Sequence, residues 1–217
     1  MLAEILCSCP VLPVVTITDA AAAVPLARAL LAGGMSAIEV TLRTPSAFEV
    51  IARIAGDVEG VVVGAGTVLT SRDMSAAEQA GARFAVSPGF SANLSEDASL
   101  PLLPGVATAS EVMAALEAGH EMMKFFPAEA AGGPAMLNAL AGPFPQARFC
   151  PTGGITPANA DSYLRLPNVI CVGGSWLAPP DLVSAGDWQA VTRLAREASR
   201  LGRSMSAPAA LAESHKP

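Results

Sequence analysis

Lys124 is the residue whose type and setting come closest to chemistry. It lies in the run Glu121-Met-Met-Lys-Phe-Phe-Pro-Ala-Glu129. The only other lysine in the 217 residues is Lys216, and every other basic residue is an arginine. Burying an ammonium without a partner is costly, and burial favours the uncharged amine. A neutral amine is the nucleophile that condenses with a ketone or aldehyde to give a Schiff base. A lysine here could equally snorkel to a rim or pair with a carboxylate for structural reasons, and this segment by itself leaves both readings open.

A second segment, Ser36-Ala-Ile-Glu-Val-Thr-Leu-Arg-Thr44, alternates in the manner of a strand. Ile38 and Val40 form one apolar face, while Glu39, Thr41 and Arg43 share the other. Schiff-base chemistry needs a proton shuttle, which a carboxyl group beside the lysine can provide. Arg43 offers a planar fork for a substrate carboxylate. The bland alternative is a buried Glu–Lys or Glu–Arg pair. A third signal is the pair of glycine doublets, Gly153-Gly154 and Gly173-Gly174, each just before a polar turn or helix start at Thr156 or Ser175. Backbone N–H groups exposed at such turns bind phosphate, although the glycines could serve only to make tight bends.

These groups must be carried by a scaffold. Short β-branched runs alternate with Ala-rich amphipathic segments at a spacing of roughly 20 to 25 residues, and this places strands near 12–17, 37–41, 61–65, 84–87, 102–107, 122–125, 148–151 and 169–172. Helix starts are signalled at Thr18, Thr44, Ser71, Ser91, Thr108 and Thr156, and helix stops at Gly33, Gly34, Gly81 and Gly119. Alternating strands and helices imply parallel pairing, and eight such units predict an α/β fold: a single-domain (β/α)8 TIM barrel over 1–203. The competing doubly wound sheet would call for a Gly-rich turn after the first strand, where Ile17-Thr-Asp-Ala-Ala stands instead. A last helix is expected over 187–201, and a Ser/Ala/Pro-rich, disordered tail over 204–217. In such a barrel the chemistry belongs at the C-terminal ends of the strands, where Lys124, Glu39, Arg43 and the glycine doublets all fall.

Composition narrows the function classes. Hydrophobic residues make up 52% against 15% charged, which excludes disorder for most of the chain. A net charge of −6 without a basic cluster argues against nucleic acid. Each apolar run is broken short of the roughly 20 residues that cross a bilayer. The N-terminus lacks a basic flank, so no membrane and no export are expected. Cys7, Cys9, Cys150 and Cys171 lack the spacing of a zinc or redox motif and read as reduced, mostly buried thiols of a cytoplasmic protein. His120 and His215 are too few and too poorly placed for a metal centre, and Trp176 and Trp188 read as packing groups.

Six segments in order carry a family resemblance: IEVTLRTPSA at 38–47, GAGTVL at 64–69, SPGF at 87–90, MKFFPAE at 123–129, PTGGI at 151–155 and VGGSWL at 172–177. Together they resemble the class I 2-keto-3-deoxy-6-phosphogluconate (KDPG) and 4-hydroxy-2-oxoglutarate (KHG) aldolases. The resemblance implies that Lys124 forms the Schiff base and that Glu39 is the general acid and base. It implies that Arg43 and Thr67, with the backbone around Gly66, hold a pyruvate carboxylate, and that Pro88 and Phe126 flank its methyl group. Thr152 would meet substrate hydroxyls, while Gly153, Gly154, Gly174 and Ser175 would bind phosphate. It further implies a homotrimer that needs no cofactor or metal, since the protonated imine is itself the electron sink. Three rivals remain: an aldolase for KHG, one for the C4 epimer 2-keto-3-deoxy-6-phosphogalactonate, and a non-catalytic phosphosugar-binding barrel. The Thr152 hydroxyl favours the gluconate over the galactonate form.

Overall fold

Every registered strand pair in this protein is parallel, as the alternation of elements demands. The computed structural model describes residues 1–202, so the expected tail at 204–217, with His215 and Lys216, lies outside the described residues. The strands are β1 Val11–Val15, β2 Ala37–Thr41, β3 Val62–Gly66, β4 Ala85–Val86, β5 Leu102–Leu103, β6 Gly105–Val106, β7 Met122–Phe125, β8 Arg148–Pro151 and β9 Val172–Gly174. They form an α/β fold of two curled parallel sheets, ordered β5-β4-β3-β2-β1-β9 and β6-β7-β8.

The helices are α1 Leu2–Cys7, α2 Ala23–Ala32, α3 Ala47–Asp57, α4 Ser71–Gln79, α5 Ala92–Glu96, α6 Ala109–Glu117, α7 Gly133–Ala141, α8 Ala160–Leu164, α9 Pro180–Ala185 and α10 Trp188–Ala198. Several start where the sequence signals a cap. Ser91 and Thr108 cap α5 and α6, and Thr108 forms a reciprocal capping box with Glu111. The signal at Ser71 is one residue late, because Thr70 makes the capping box with Asp73. At Thr44 and Thr156 the helix begins three or four residues further on, because the Thr44 hydroxyl donates to the Ile17 carbonyl and the Thr156 N–H donates to Asn159 Oδ1 instead.

Three strand expectations are corrected. The run at 102–107 is divided at Pro104, which has no N–H for a ladder, so β5 pairs with β4 on one side and β6 pairs with β7 on the other. Regular pairing in β4 is limited to two residues, although Phe84 and Ser87 still bond to neighbouring strands at either end. The run at 169–172 is shifted. Bridges join Phe149 to Val169 and Thr152 to Gly173, so four residues on one side answer three on the other, and regular pairing starts only at Val172.

Burial divides the apolar residues into two clusters, as the alternation of strand side chains requires. Ile38, Val40, Met123, Phe125 and Phe149 pack outward beneath the helices. Leu12, Ala37, Phe84, Val86, Leu103, Cys150 and Cys171 turn inward, and Ile5 and Leu6 of α1 join them. The inward cluster makes an apolar floor. Helix α1, which the sequence reading assigned to no element, closes it from below.

Candidate active site

Above that floor lies the buried polar pair. Lys124 is 5% exposed and Glu39 1%, and Lys124 Nζ donates to Glu39 Oε1 at 3.1 Å. Both come from inward-facing strand positions: Glu39 from the middle of β2, Lys124 from β7. The Pro104 carbonyl, in the break between β5 and β6, accepts the Lys124 N–H at 2.8 Å and fixes the height of the lysine. The sequence left open whether this amine stays uncharged among apolar groups or pairs with a carboxylate. Phe126 does stand over Nζ, 5.3 Å from ring centroid to nitrogen, but the ammonium has a carboxylate partner.

Glu39 has room only because of its neighbour strand. A Cβ placed on Gly66 would lie 2.2 Å from Glu39 Oε1 and 2.7 Å from its Cγ. At the same rim, Arg43 Nε donates to the Thr67 hydroxyl at 3.1 Å, which leaves the two terminal guanidinium nitrogens to meet an anion. Thr67 holds a left-handed backbone, φ 60°, rare for a β-branched residue, and conformations of this kind gather at functional sites. On the same face, the hydroxyls of exposed Thr16 and buried Thr41 bond at 2.7 Å.

A cavity of about 110 Å³ opens over the pair, lined by Arg43, Lys124, Phe126, Thr152, Gly153, Gly154 and Ser175, together with Val14, Ile155 and Gly173. Seven expected site residues therefore line one hollow. Glu39, Gly66 and Thr67 stand next to it through the contacts just given. Pro88 and Gly174 do not line it. Pro88 backs onto Gly105, where a Cβ would meet its carbonyl carbon at 2.3 Å, and a Cβ on Gly174 would point into the Trp176 ring at 2.5 Å. Strand parity explains this and could have found Gly173: on the last strand Cys171, Gly173 and Ser175 share a face, so Gly174 must point away. Val14 and Ile155 carried no polar signal.

Beneath the cavity Cys150 and Cys171 face each other with their sulfurs 3.5 Å apart. The bond to Cys150, and then burial, push the Cys171 thiol well above its ordinary value. It stays protonated and belongs to the floor. All four cysteines are free, as expected, but Cys7 is exposed. His120 bonds to Ser95 at 2.6 Å and packs edge-on against Phe90, away from the lysine. A larger hollow of about 480 Å³ lies at the opposite, N-terminal ends of β2 and β3, among Glu4, Ile5, Ala37 and Arg83, and no lysine among the described residues lines it.

A parallel α/β scaffold that brings an amine, a proton-accepting carboxylate, an arginine and a glycine turn to the C-terminal ends of its strands is that of an enzyme acting on a small anionic carbonyl compound. The family model for KDPG and KHG aldolases matches residues 2–194. The chain belongs to this family. A 2-dehydro-3-deoxy-phosphogluconate aldolase of Pseudoalteromonas atlantica is 50% identical over 192 residues, 87% of this chain and 89% of that protein. The KDPG aldolase of Legionella pneumophila, solved with pyruvate captured at low pH as a covalent carbinolamine, superposes with a TM-score of 0.90 at 44% identity, covering 92% of this chain and 98% of the other. The Zymomonas mobilis aldolase solved with 3-phosphoglycerate gives a TM-score of 0.87 at 48% identity, over 91% and 94% of the two chains. Among the described residues no helix is long and apolar enough to cross a membrane.

Proposed function

We propose that the chain is a class I aldolase that cleaves KDPG to pyruvate and glyceraldehyde 3-phosphate through a Schiff base on Lys124. One observation carries this reading: the buried hydrogen bond from Lys124 Nζ to Glu39 Oε1 at the base of a cavity lined by Arg43, Thr152 and the Gly153-Gly154 turn. A proton passing along that bond leaves a neutral amine beside a carboxylic acid, with no charge stranded in the interior.

The amine attacks the C2 ketone while Glu39 protonates the forming hydroxyl. Water leaves and the iminium forms. Glu39 then takes the C4 hydroxyl proton, directly or through water, and the C3–C4 bond breaks with its electron pair drawn into the iminium. Glyceraldehyde 3-phosphate departs. The enamine is protonated at C3, and hydrolysis returns pyruvate and the free amine. Arg43, held by Thr67 beside Gly66, binds the substrate carboxylate. Phe126, with Pro88 behind the strand ends, limits the space around the pyruvyl methyl group. Thr152 meets a substrate hydroxyl, and the turns at Gly153, Gly154, Gly174 and Ser175 take the phosphate on their N–H groups.

Two features of the scaffold belong to the same proposal. The strands close into one eight-stranded (β/α)8 barrel, with 102–106 counted as a single strand. The bridges from Phe149 to Val169 and from Thr152 to Gly173, and the pairing of β5 and β6 to opposite neighbours, support that closure and a single domain. Exposed Phe48, Leu69 and Met113, which offer apolar surface to a second copy, support a homotrimer, and the cytoplasm is its proposed location.

Borohydride reduction in the presence of pyruvate tests the reading. The protein is expected to gain one pyruvyl-derived mass on the peptide that contains Lys124, and Lys124→Ala is expected to gain none. Labelling of another lysine, or no labelling, would sink the proposal.

A further inference from the structure

The Glu129 carboxylate stands beside the place proposed for phosphate, where like charge should be unwelcome. A Cβ on Gly154 would lie 2.6 Å from Glu129 Cγ, so this side chain runs hard against the glycine turn. Yet Glu129 does not line the cavity. What turns it aside is Tyr163 of α8, whose fully buried side chain donates its hydroxyl to Glu129 Oε1. Burial, and then Glu129 itself, push the phenol well above its ordinary value, so the hydroxyl remains the donor.

The backbone around the pair forms a clamp on the turn. Ala128 N–H donates to the Thr152 carbonyl at 2.8 Å and Glu129 N–H to the Gly153 carbonyl at 3.1 Å, which ties the loop after β7 to the turn. From the other side Asn159, at the start of α8, donates from Nδ2 to the Gly154 carbonyl at 3.1 Å. Gly153 and Gly154 both hold left-handed backbone, φ 102° and 77°, in which the turn N–H groups can converge. The Tyr163–Glu129 bond joins the two arms of this clamp.

The geometry points to Tyr163 and Glu129 as a positioning pair for the phosphate end of the substrate: together they hold the glycine turn in place and keep the carboxylate turned away from the incoming anion. This rests on the anion role proposed above for the turn. Neither residue touches the reacting carbons, so the pair should govern affinity for the phosphorylated substrate and leave the pyruvyl chemistry alone.

The test uses the full-length enzyme and two substrates. Pyruvate, followed by exchange of its methyl protons in deuterated water, reaches Lys124, Glu39 and the carboxylate site at Arg43 but not the glycine turn, while KDPG also reaches the turn. Tyr163→Phe keeps the packing and removes the bond. It is expected to raise KM for KDPG by roughly five- to tenfold, the scale of one partly exposed charge interaction plus a loosened turn, with kcat and pyruvate exchange within about twofold of wild type. Adding Glu129→Gln to that variant removes the freed charge and is expected to restore part of the lost affinity, the remainder belonging to the loosened turn. An unchanged KM for KDPG, an equal loss for pyruvate, or a double variant as impaired as the single one would overturn the proposal. Wild-type enzyme that fails to exchange pyruvate would instead overturn the aldolase reading, so the two failures are distinct.

Discussion

Replacing Gly66 by alanine tests whether the active site depends on one missing methyl group. The added Cβ would sit 2.2 Å from Glu39 Oε1 and 2.8 Å from Cδ, where ordinary contact begins near 3.4 Å. Gly66 ends a regular strand and its φ is not in the left-handed region, so alanine suits the backbone and the side chain of Glu39 must yield. Its carboxylate must retreat by more than 1 Å from a position where Oε1 accepts the Lys124 hydrogen bond at 3.1 Å. Misplacing a catalytic group by about 1 Å can cost on the order of 10²-fold. Gly66→Ala is therefore expected to lower kcat for KDPG cleavage by roughly 10² in a pyruvate-release assay, with borohydride still able to trap pyruvate on Lys124 over long incubation. Gly64→Ala, one inward position lower on the same strand, supplies the contrast: its Cβ would strike the Phe84 ring at 2.3 Å, so it should lower Tm by disturbing the apolar floor. Near-normal kcat in a folded Gly66→Ala protein would refute the claim that Glu39 is held in place by that gap.

Glu39→Gln keeps the shape but cannot carry protons, and is expected to lower kcat by roughly 10²- to 10⁴-fold without unfolding the protein; wild-type turnover would remove Glu39 from the mechanism. Burial holds the His120 imidazole below its ordinary 6.5. Folded protein then binds this proton less readily than unfolded chain, so the stability contributed by neutral His120 is fully present above about 6.5 and is lost as pH falls from there through the lower folded value. An NMR titration should give a midpoint below 6.5, and the stability advantage of wild type over His120→Gln should shrink as pH drops through the same range.

The strand periodicity was legible because a parallel α/β sheet buries both faces of its strands and spaces them by helices, and β2, β7 and β8 begin and end where the apolar runs do. What escaped were features without a local signature. The N-cap moves from Ser71 to Thr70 because Asp73 completes the box from three residues away. The last strand is displaced because its partner advances three residues where it advances four, which only the pairing reveals. Helix α1 has no distinctive pattern of its own, and its role follows from the open apolar end that Ile5 and Leu6 happen to fill.

For the site, residue type and alternation already chose Lys124, Glu39 and Arg43, since a charge on the inward face of an apolar strand needs a reason and few are available. Sequence could not decide that Lys124 and Glu39, 85 residues apart, would meet at 3.1 Å, because that distance depends on the relative stagger of β2 and β7. Nor could it give Glu129 a role. Its partner Tyr163 lies 34 residues further on, in α8, and the meaning of the pair comes from the glycine turn between them. Chemical capacity is a property of side chains and is written locally; the distances that make it usable are set by strand register and by where neighbouring residues leave space, which the packed fold alone determines.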